Sequence, residues 1–103
     1  MSENRYVNDG QQRGFRVLLA LSGHEVQGLS PGELAKGLSI HPSLITRDLA
    51  NLQIAGLAEE LVGTGRWRLT PRLVQIGVAM QLAVEEAERK LGETRQRYTR
   101  APR

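Results

Sequence analysis

Two proline-marked helix starts, at Pro31 and Pro42, with a glycine between them constrain this chain more than any other feature. Ser30-Pro31-Gly32-Glu33 carries a complete start signal. Ser30 can cap exposed amides, Pro31 suits the first helical position, and Glu33 can reach back to the cap. The spacing predicts a short helix through Leu34-Ala35-Lys36, with Gly37 taking the left-handed conformation that ends it. Leu38-Ser39-Ile40 then leads to Pro42. From there Ile45, Leu49 and Leu52 recur at four and three, the apolar stripe of an otherwise polar helix that Gly56 ends. Two short helices joined by a tight turn form a helix-turn-helix.

The flanking sequence completes the architecture. Residues 1–10 are polar and expected to fray. Phe15, Leu18 and Leu19, with Val17 and Leu21, give a first helix from Gln11 to Leu21. Val26 to Leu29 is a candidate short strand. Leu57 to Val62 and Arg66 to Leu69 read as strands joined by the hairpin signal Gly63-Thr64-Gly65. Thr70-Pro71 repeats the cap-then-proline signature and opens a last helix of about 25 residues, on the order of 35–40 Å. The expected fold is mainly α with a small β-hairpin: a winged helix-turn-helix over 11–70, a long C-terminal helix over 71–98 and a basic tail over 99–103.

Composition narrows the function classes. At 103 residues the chain suits one domain, and with 4% aromatics its core must come from Leu, Val, Ile and Ala. The absence of cysteine excludes disulfides and thiolate metal sites and fits a reducing cytoplasm. Val17 to Leu21 is the longest apolar run near the N-terminus, too short for a signal or membrane segment, so a cytoplasmic protein without a membrane partner is expected. A net charge of +3 favours a polyanionic partner. Enzyme chemistry has little to work with. There are two histidines, and His24-Glu25 begins a zinc-protease-like run in which Gly28 stands where the second histidine is needed. Gly63-Thr64-Gly65-Arg66 reads as a turn. No metal or cofactor is expected.

The helix from Pro42 to Ala55 can lie in the major groove of double-stranded DNA if its polar side faces outward. Ser43, Thr46 and Arg47 occupy that side near the helix start. Arg47 matches the two acceptors of guanine; the alternative is an arginine paired with a neighbouring carboxylate. Ser43 can serve bases, phosphates or the helix start. Leu44 can meet a thymine methyl or sit at the edge of the core. His41 can donate to a phosphate or be a surface histidine without a role. Ser30 caps its helix and can also present amides to a phosphate. Asp48 would repel phosphate, which implies a sideways orientation or an arginine partner. On the hairpin, Arg66 and Arg68 share one face and are expected to be free for backbone or minor-groove contact, with Trp67 and Leu69 turned inward.

The last helix carries two apolar stripes. Leu73, Ile76, Met80, Ala83 and Ala87 alternate at three and four, enough to pack on the first helix of the same chain. Val74, Val78 and Leu82 form a second stripe, expected to meet its copy in a homodimer; the alternative is a helix sandwiched within one chain. Arg95, Arg97, Arg100 and Arg103 make the tail basic.

With these residues in view, the chain resembles the DNA-binding domain of IclR-type bacterial transcriptional regulators. Leu34 to Leu57, LAKGLSIHPSLITRDLANLQIAGL, is similar to that family's helix-turn-helix, and Gly65 to Gly77, GRWRLTPRLVQIG, to its wing strand and linker helix. The resemblance implies DNA contacts at Ser30, Ser43, Thr46 and Arg47, and at Arg66 and Arg68 on the wing. Two departures stand out. His41-Pro42 replaces a proline-basic pair, and Asp48 replaces an apolar residue. Residues 1–103 hold no counterpart of the family's effector-binding domain, so no small-molecule sensing carries over. The expectation is a sequence-specific DNA-binding homodimer acting as a small prokaryotic or phage regulator. A winged-helix protein-interaction module and a DNA-binding accessory factor in replication, transposition or partition remain open beside it.

Overall fold

The computed structural model describes residues 4–100. Residues 1–3 of the expected N-terminal stretch and 101–103 of the expected tail, including Arg103, lie outside them. The chain divides into two units, Met1–Arg72 and Leu73–Arg103. The first contains α1 (Asp9–Leu21), α2 (Pro31–Leu38), α3 (Pro42–Ile54), β1 (Ala58–Leu61) and β2 (Arg66–Leu69); α4 (Arg72–Thr99) makes up nearly all of the second.

Helix α1 begins at Asp9, earlier than the sequence spacing predicts, because the Asn8 side-chain oxygen accepts the Gln11 amide N–H at 2.9 Å. Asp9 and Gly10 are therefore helical, and the expectation of an irregular stretch through Gly10 is corrected. Val17 and Leu21 are the buried residues of α1, whereas Phe15 and Leu19 are 55% and 69% exposed.

The start of α2 follows the sequence signal. Ser30 Oγ accepts the Glu33 amide N–H at 3.1 Å, and the Glu33 carboxylate accepts the Ser30 amide N–H at 3.0 Å. The Ser30 amide N–H first, and then the Ser30 side chain, hold the Glu33 carboxyl below its ordinary pKa, with Arg66 adding to the effect. The end of α2 differs. Gly37 remains inside the helix and Ser39 takes the left-handed turn at φ 56, its amide N–H directed at Ala35 O and Lys36 O. Extending the helix to Leu38 packs that side chain against the core and lets Ile40 bury. Packing has placed the stop at a residue that disfavours it.

Ile45, Leu49 and Leu52 of α3 are buried, as their spacing predicts, alongside Val17, Leu21, Leu34, Ala35, Ile40 and Ala58. Each large side chain removed from water contributes roughly 1.5–3 kcal/mol, so this cluster is what fixes α3 on α1 and α2. Gly56, at φ 78, ends α3, and the Leu57 amide N–H returns to Leu52 O at 2.9 Å.

Strands β1 and β2 pair antiparallel, Ala58 with Leu69 and Leu61 with Arg66 at the two ends. Their connection closes through Thr64, which donates its hydroxyl to Leu61 O at 2.7 Å and accepts the Arg66 amide N–H at 3.0 Å. The expected strand at 26–29 is reduced to one bridge between Leu29 and Trp67, with two 2.8 Å hydrogen bonds. Gly28 causes the truncation. At φ +69 it turns the chain away, and its Cα lies so close to β2 that a Cβ there would stand 2.7 Å from Trp67 O.

Thr70 does not cap α4. Its hydroxyl donates to Gly56 O at 2.6 Å and its amide N–H to Leu57 O at 3.0 Å, tying the end of β2 to the end of α3. Helix α4 runs for 28 residues without a buried one. Along it Ile76 and Met80 are 45% and 65% exposed. No helix among the described residues is long and apolar enough to cross a membrane.

Candidate nucleic-acid interface

The candidate interface is the outer face of α3. Its inner face is the buried stripe just described, and the helical period leaves Ser43, Thr46, Arg47 and Ala50 exposed on the opposite side. Thr46 directs its hydroxyl back to Pro42 O at 3.2 Å, and Asn51 donates its side-chain amide to Arg47 O at 2.9 Å. Among the described residues the Arg47 guanidinium forms no ion pair, so the paired-arginine alternative is not realised.

His41 is the N-cap of α3. The Ser43 amide N–H donates to His41 Nδ1 at 3.2 Å, and Ser43 Oγ lies 2.8 Å from the same nitrogen. With Nδ1 accepting, the neutral imidazole carries its proton on Nε2, which leaves that N–H as the ring's donor. Ser43 thus helps build the helix start, one of the roles open to it. Leu44 is half-buried and packs against the core, the edge-of-core position that was one of the two roles open to it.

Asp48 is the single buried charged residue among those described, 4% exposed. Arg13 from α1 grips it with two hydrogen bonds, Nε to Oδ2 at 2.7 Å and Nη2 to Oδ1 at 2.9 Å. That hydrogen bonding, opposed in part by burial, raises the Arg13 pKa above its ordinary value. The bidentate fork fixes distance and angle between α1 and α3. Arg16 adds a second tie, donating to Leu38 O at 2.9 Å at the end of α2.

The wing arginines do not stand free, contrary to the sequence expectation. Arg66 donates from Nε to Gln27 O at 2.9 Å and from Nη2 to Gly28 O at 3.0 Å, and Nη1 meets the Glu33 carboxylate at 2.9 Å. It is a clamp joining the wing, the connector after α1 and the start of α2. Arg68 is paired across the hairpin with Glu59 at 3.0 Å. The physical reason is charge balance: β1 carries Glu59 and Glu60 beside β2, and carbonyls around the Gly28 turn need donors. Trp67 and Leu69 do turn toward the core.

Helix α4 leaves Val74, Val78 and Leu82 67%, 51% and 58% exposed. The sequence reading missed a longer pattern in it. Leu73, Gly77, Met80, Val84, Ala87, Leu91, Thr94 and Tyr98 alternate at four and three along the whole helix, the heptad period of a two-helix seam. Counting from Leu73 in strict heptads would have found it. Arg89 holds its own helix, pairing with Glu86 and Glu93.

No protein-family profile and no curated protein sequence matches the chain. Solved structures do. An IclR-family transcriptional regulator from Brucella abortus is similar over 78% of this chain at 22% identity and a TM-score of 0.67, the chain spanning 30% of that protein's length. The Zalpha domain of ORF112 from cyprinid herpesvirus 3, a structure of its binding to Z-DNA, is similar over 58% of this chain and 95% of that domain, at 18% identity and a TM-score of 0.53. A point mutant of Staphylococcus aureus MepR, bound to an oligodeoxyribonucleotide, is similar over 84% of this chain and 64% of that one, at 23% identity and a TM-score of 0.54. These likenesses establish the fold: a winged helix-turn-helix of the kind found in IclR-type regulators.

Proposed function

We propose that this protein binds double-stranded DNA sequence-specifically, as a homodimeric transcriptional regulator whose helix α3 enters the major groove. One observation carries the reading. The outer face of α3 exposes Ser43, Thr46 and Arg47, the last without an ion-pair partner among the described residues, while the rest of the helix is locked by the core and by the Arg13–Asp48 fork. Arg47 reads a guanine through its bidentate donors. Ser43 and Thr46 meet bases or phosphates beside it, and the exposed His41 donates its Nε2–H to a phosphate. Ser30 presents the start of α2 to the backbone. The oligonucleotide bound to the similar MepR mutant and the Z-DNA bound to the similar Zalpha domain support nucleic acid as the partner class. Arg68 reaches phosphate only by leaving Glu59, and Arg66 serves the wing's own architecture.

Dimerisation runs along α4. The stripe Val74, Val78 and Leu82 drifts around the helix and gives way to Glu85 and Glu86, whereas the heptad stripe holds one face from Leu73 to Tyr98. The longer seam is the better interface, because most helical stability in proteins comes from packing an apolar face against a partner.

Selection of binding sites from random duplexes, followed by titration at several salt concentrations, tests the reading. The expected outcome is a palindromic consensus with half-sites about one helical turn apart, and affinity falling steeply with salt. Arg47→Ala should lose discrimination at one base pair per half-site, at a cost of about 1–3 kcal/mol. Binding indifferent to both salt and Arg47 would point instead to a protein-docking module.

A further inference from the structure

Beside the recognition face, between α1 and the second half of α3, lies an open groove of about 470 Å³. We propose that it is a binding site for a small planar aromatic monocarboxylate, which competes with DNA for Arg47.

Three features of the groove define that ligand. The α1 wall lacks side chains at Gly10 and Gly14, and a Cβ built on Gly14 meets nothing within 4 Å. At Gly14 the wall is bare helix backbone, against which a flat ring can lie, while at Gly10 the Asn8 side chain approaches, its Oδ1 3.3 Å from where a Cβ would stand. Leu52 and Leu57 supply apolar surface, and Phe15, 55% exposed, offers a ring face for offset stacking. The volume falls in the range of ordinary small-molecule sites, which combine an apolar lining with a few fixed polar groups.

Charge selects the anion. Three ionised side chains line the groove: Arg13, Asp48 and Arg47. Arg13 and Asp48 neutralise each other through the bidentate fork. Among the described residues Arg47 has no ion-pair partner, so the groove's lining carries one net positive charge and accepts one carboxylate. An aromatic acid lying on Phe15 and the bare α1 wall, with its carboxylate on Arg47, satisfies both requirements together.

The site itself needs only the groove; its competition with DNA rests on the role proposed above for Arg47. The two are separated by testing them apart. In the first arm, 2-naphthoate is titrated into the isotope-labelled full chain without DNA and followed by amide NMR shifts. Saturable one-to-one binding is expected, with a Kd of about 0.1–1 mM, ordinary for a shallow site. The shifts should cluster at residues 10–15 and 47–57, and neutral 2-naphthamide should bind at least severalfold more weakly. Gly14→Leu fills the wall, improves helix propensity and should abolish the shifts while leaving the thermal midpoint unchanged or raised. Absence of saturable binding, shifts confined to α4, or binding undiminished in Gly14→Leu would overturn the site. In the second arm, 2-naphthoate is added to the protein on its selected duplex. Loss of DNA affinity in the parent but not in Gly14→Leu supports competition, and equal loss in both overturns it. If no duplex binds even without naphthoate, the DNA reading falls while the first arm still decides the groove.

Discussion

Gly28 is where the wing meets the body, and replacing it with alanine gives a quantitative test of that junction. Its φ of +69 is the left-handed region, which costs an alanine roughly 1–2 kcal/mol. The new methyl would also stand 2.7 Å from Trp67 O and 2.9 Å from Leu61 Cδ1. The leucine can rotate away, but the carbonyl belongs to backbone. Relieving that overlap means moving β2 off the Leu29 bridge, whose two hydrogen bonds are each 2.8 Å. At roughly 0.5–1.5 kcal/mol net per bond, their loss adds about 1–3 kcal/mol. The expected total for Gly28→Ala is about 2–5 kcal/mol, or a fall in Tm of roughly 10–30 °C for a domain of this size. Gly23 provides the control. At φ +88 it has the same backbone demand, yet a Cβ there meets nothing within 4 Å, so Gly23→Ala should show the strain cost alone. The difference between the two variants isolates the contact with β2. Urea denaturation followed by fluorescence reads it directly, since Trp67 is the one tryptophan of the chain and sits at the junction. Equal destabilisation of the two variants would refute the reasoning.

Two further outcomes are expected. Ser39→Gly should stabilise the protein by up to about 1 kcal/mol, because glycine occupies φ 56 without the penalty serine carries there; thermal melting that shows a loss would mean the serine side chain has a role of its own. The capping box should make α2 sensitive to acid. The folded-state pKa of Glu33 is depressed by the Ser30 bonds. Its contribution is therefore fully present above the ordinary carboxylate pKa and lost as pH falls through the depressed value. Stability measured against pH should decline on that acid limb, and Glu33→Gln should show a shallower decline with the remaining carboxylates unchanged.

The legible part of this protein was the part held by local hydrogen bonds. Ser30, Pro31 and Glu33 mark the start of α2 within a few residues of one another, and Gly56 and the Gly63–Gly65 turn mark stops in the same way. The stripe Ile45, Leu49 and Leu52 named its own buried face, which left Ser43, Thr46 and Arg47 outside by helical geometry alone. Asp48 was foreseen as turned aside or paired, but not its partner, because nothing in the spacing of α3 points to Arg13 in α1.

The Asn8 cap of α1 and the heptad stripe of α4 are local signals that the spacing arguments passed over; the other differences depended on distance in the chain. Arg66 and Arg68 look alike on β2, yet one clamps the Gly28 turn and Glu33 while the other crosses to Glu59. Thr70 looks like a helix cap, yet gives its hydroxyl to Gly56 O. Gly37 looks like the end of α2, yet burial of Ile40 sets the turn at Ser39. Sequence alone determined where α2 and α3 start, which face of α3 is core and which face is outward, because those follow from bonds and periodicities spanning a few residues. Only the tertiary structure decided which charges are spent holding elements together and which, like Arg47, have no ion-pair partner among the described residues. A long side chain pairs with whatever donor or acceptor the packing brings within reach, and that neighbour is fixed by the assembled core.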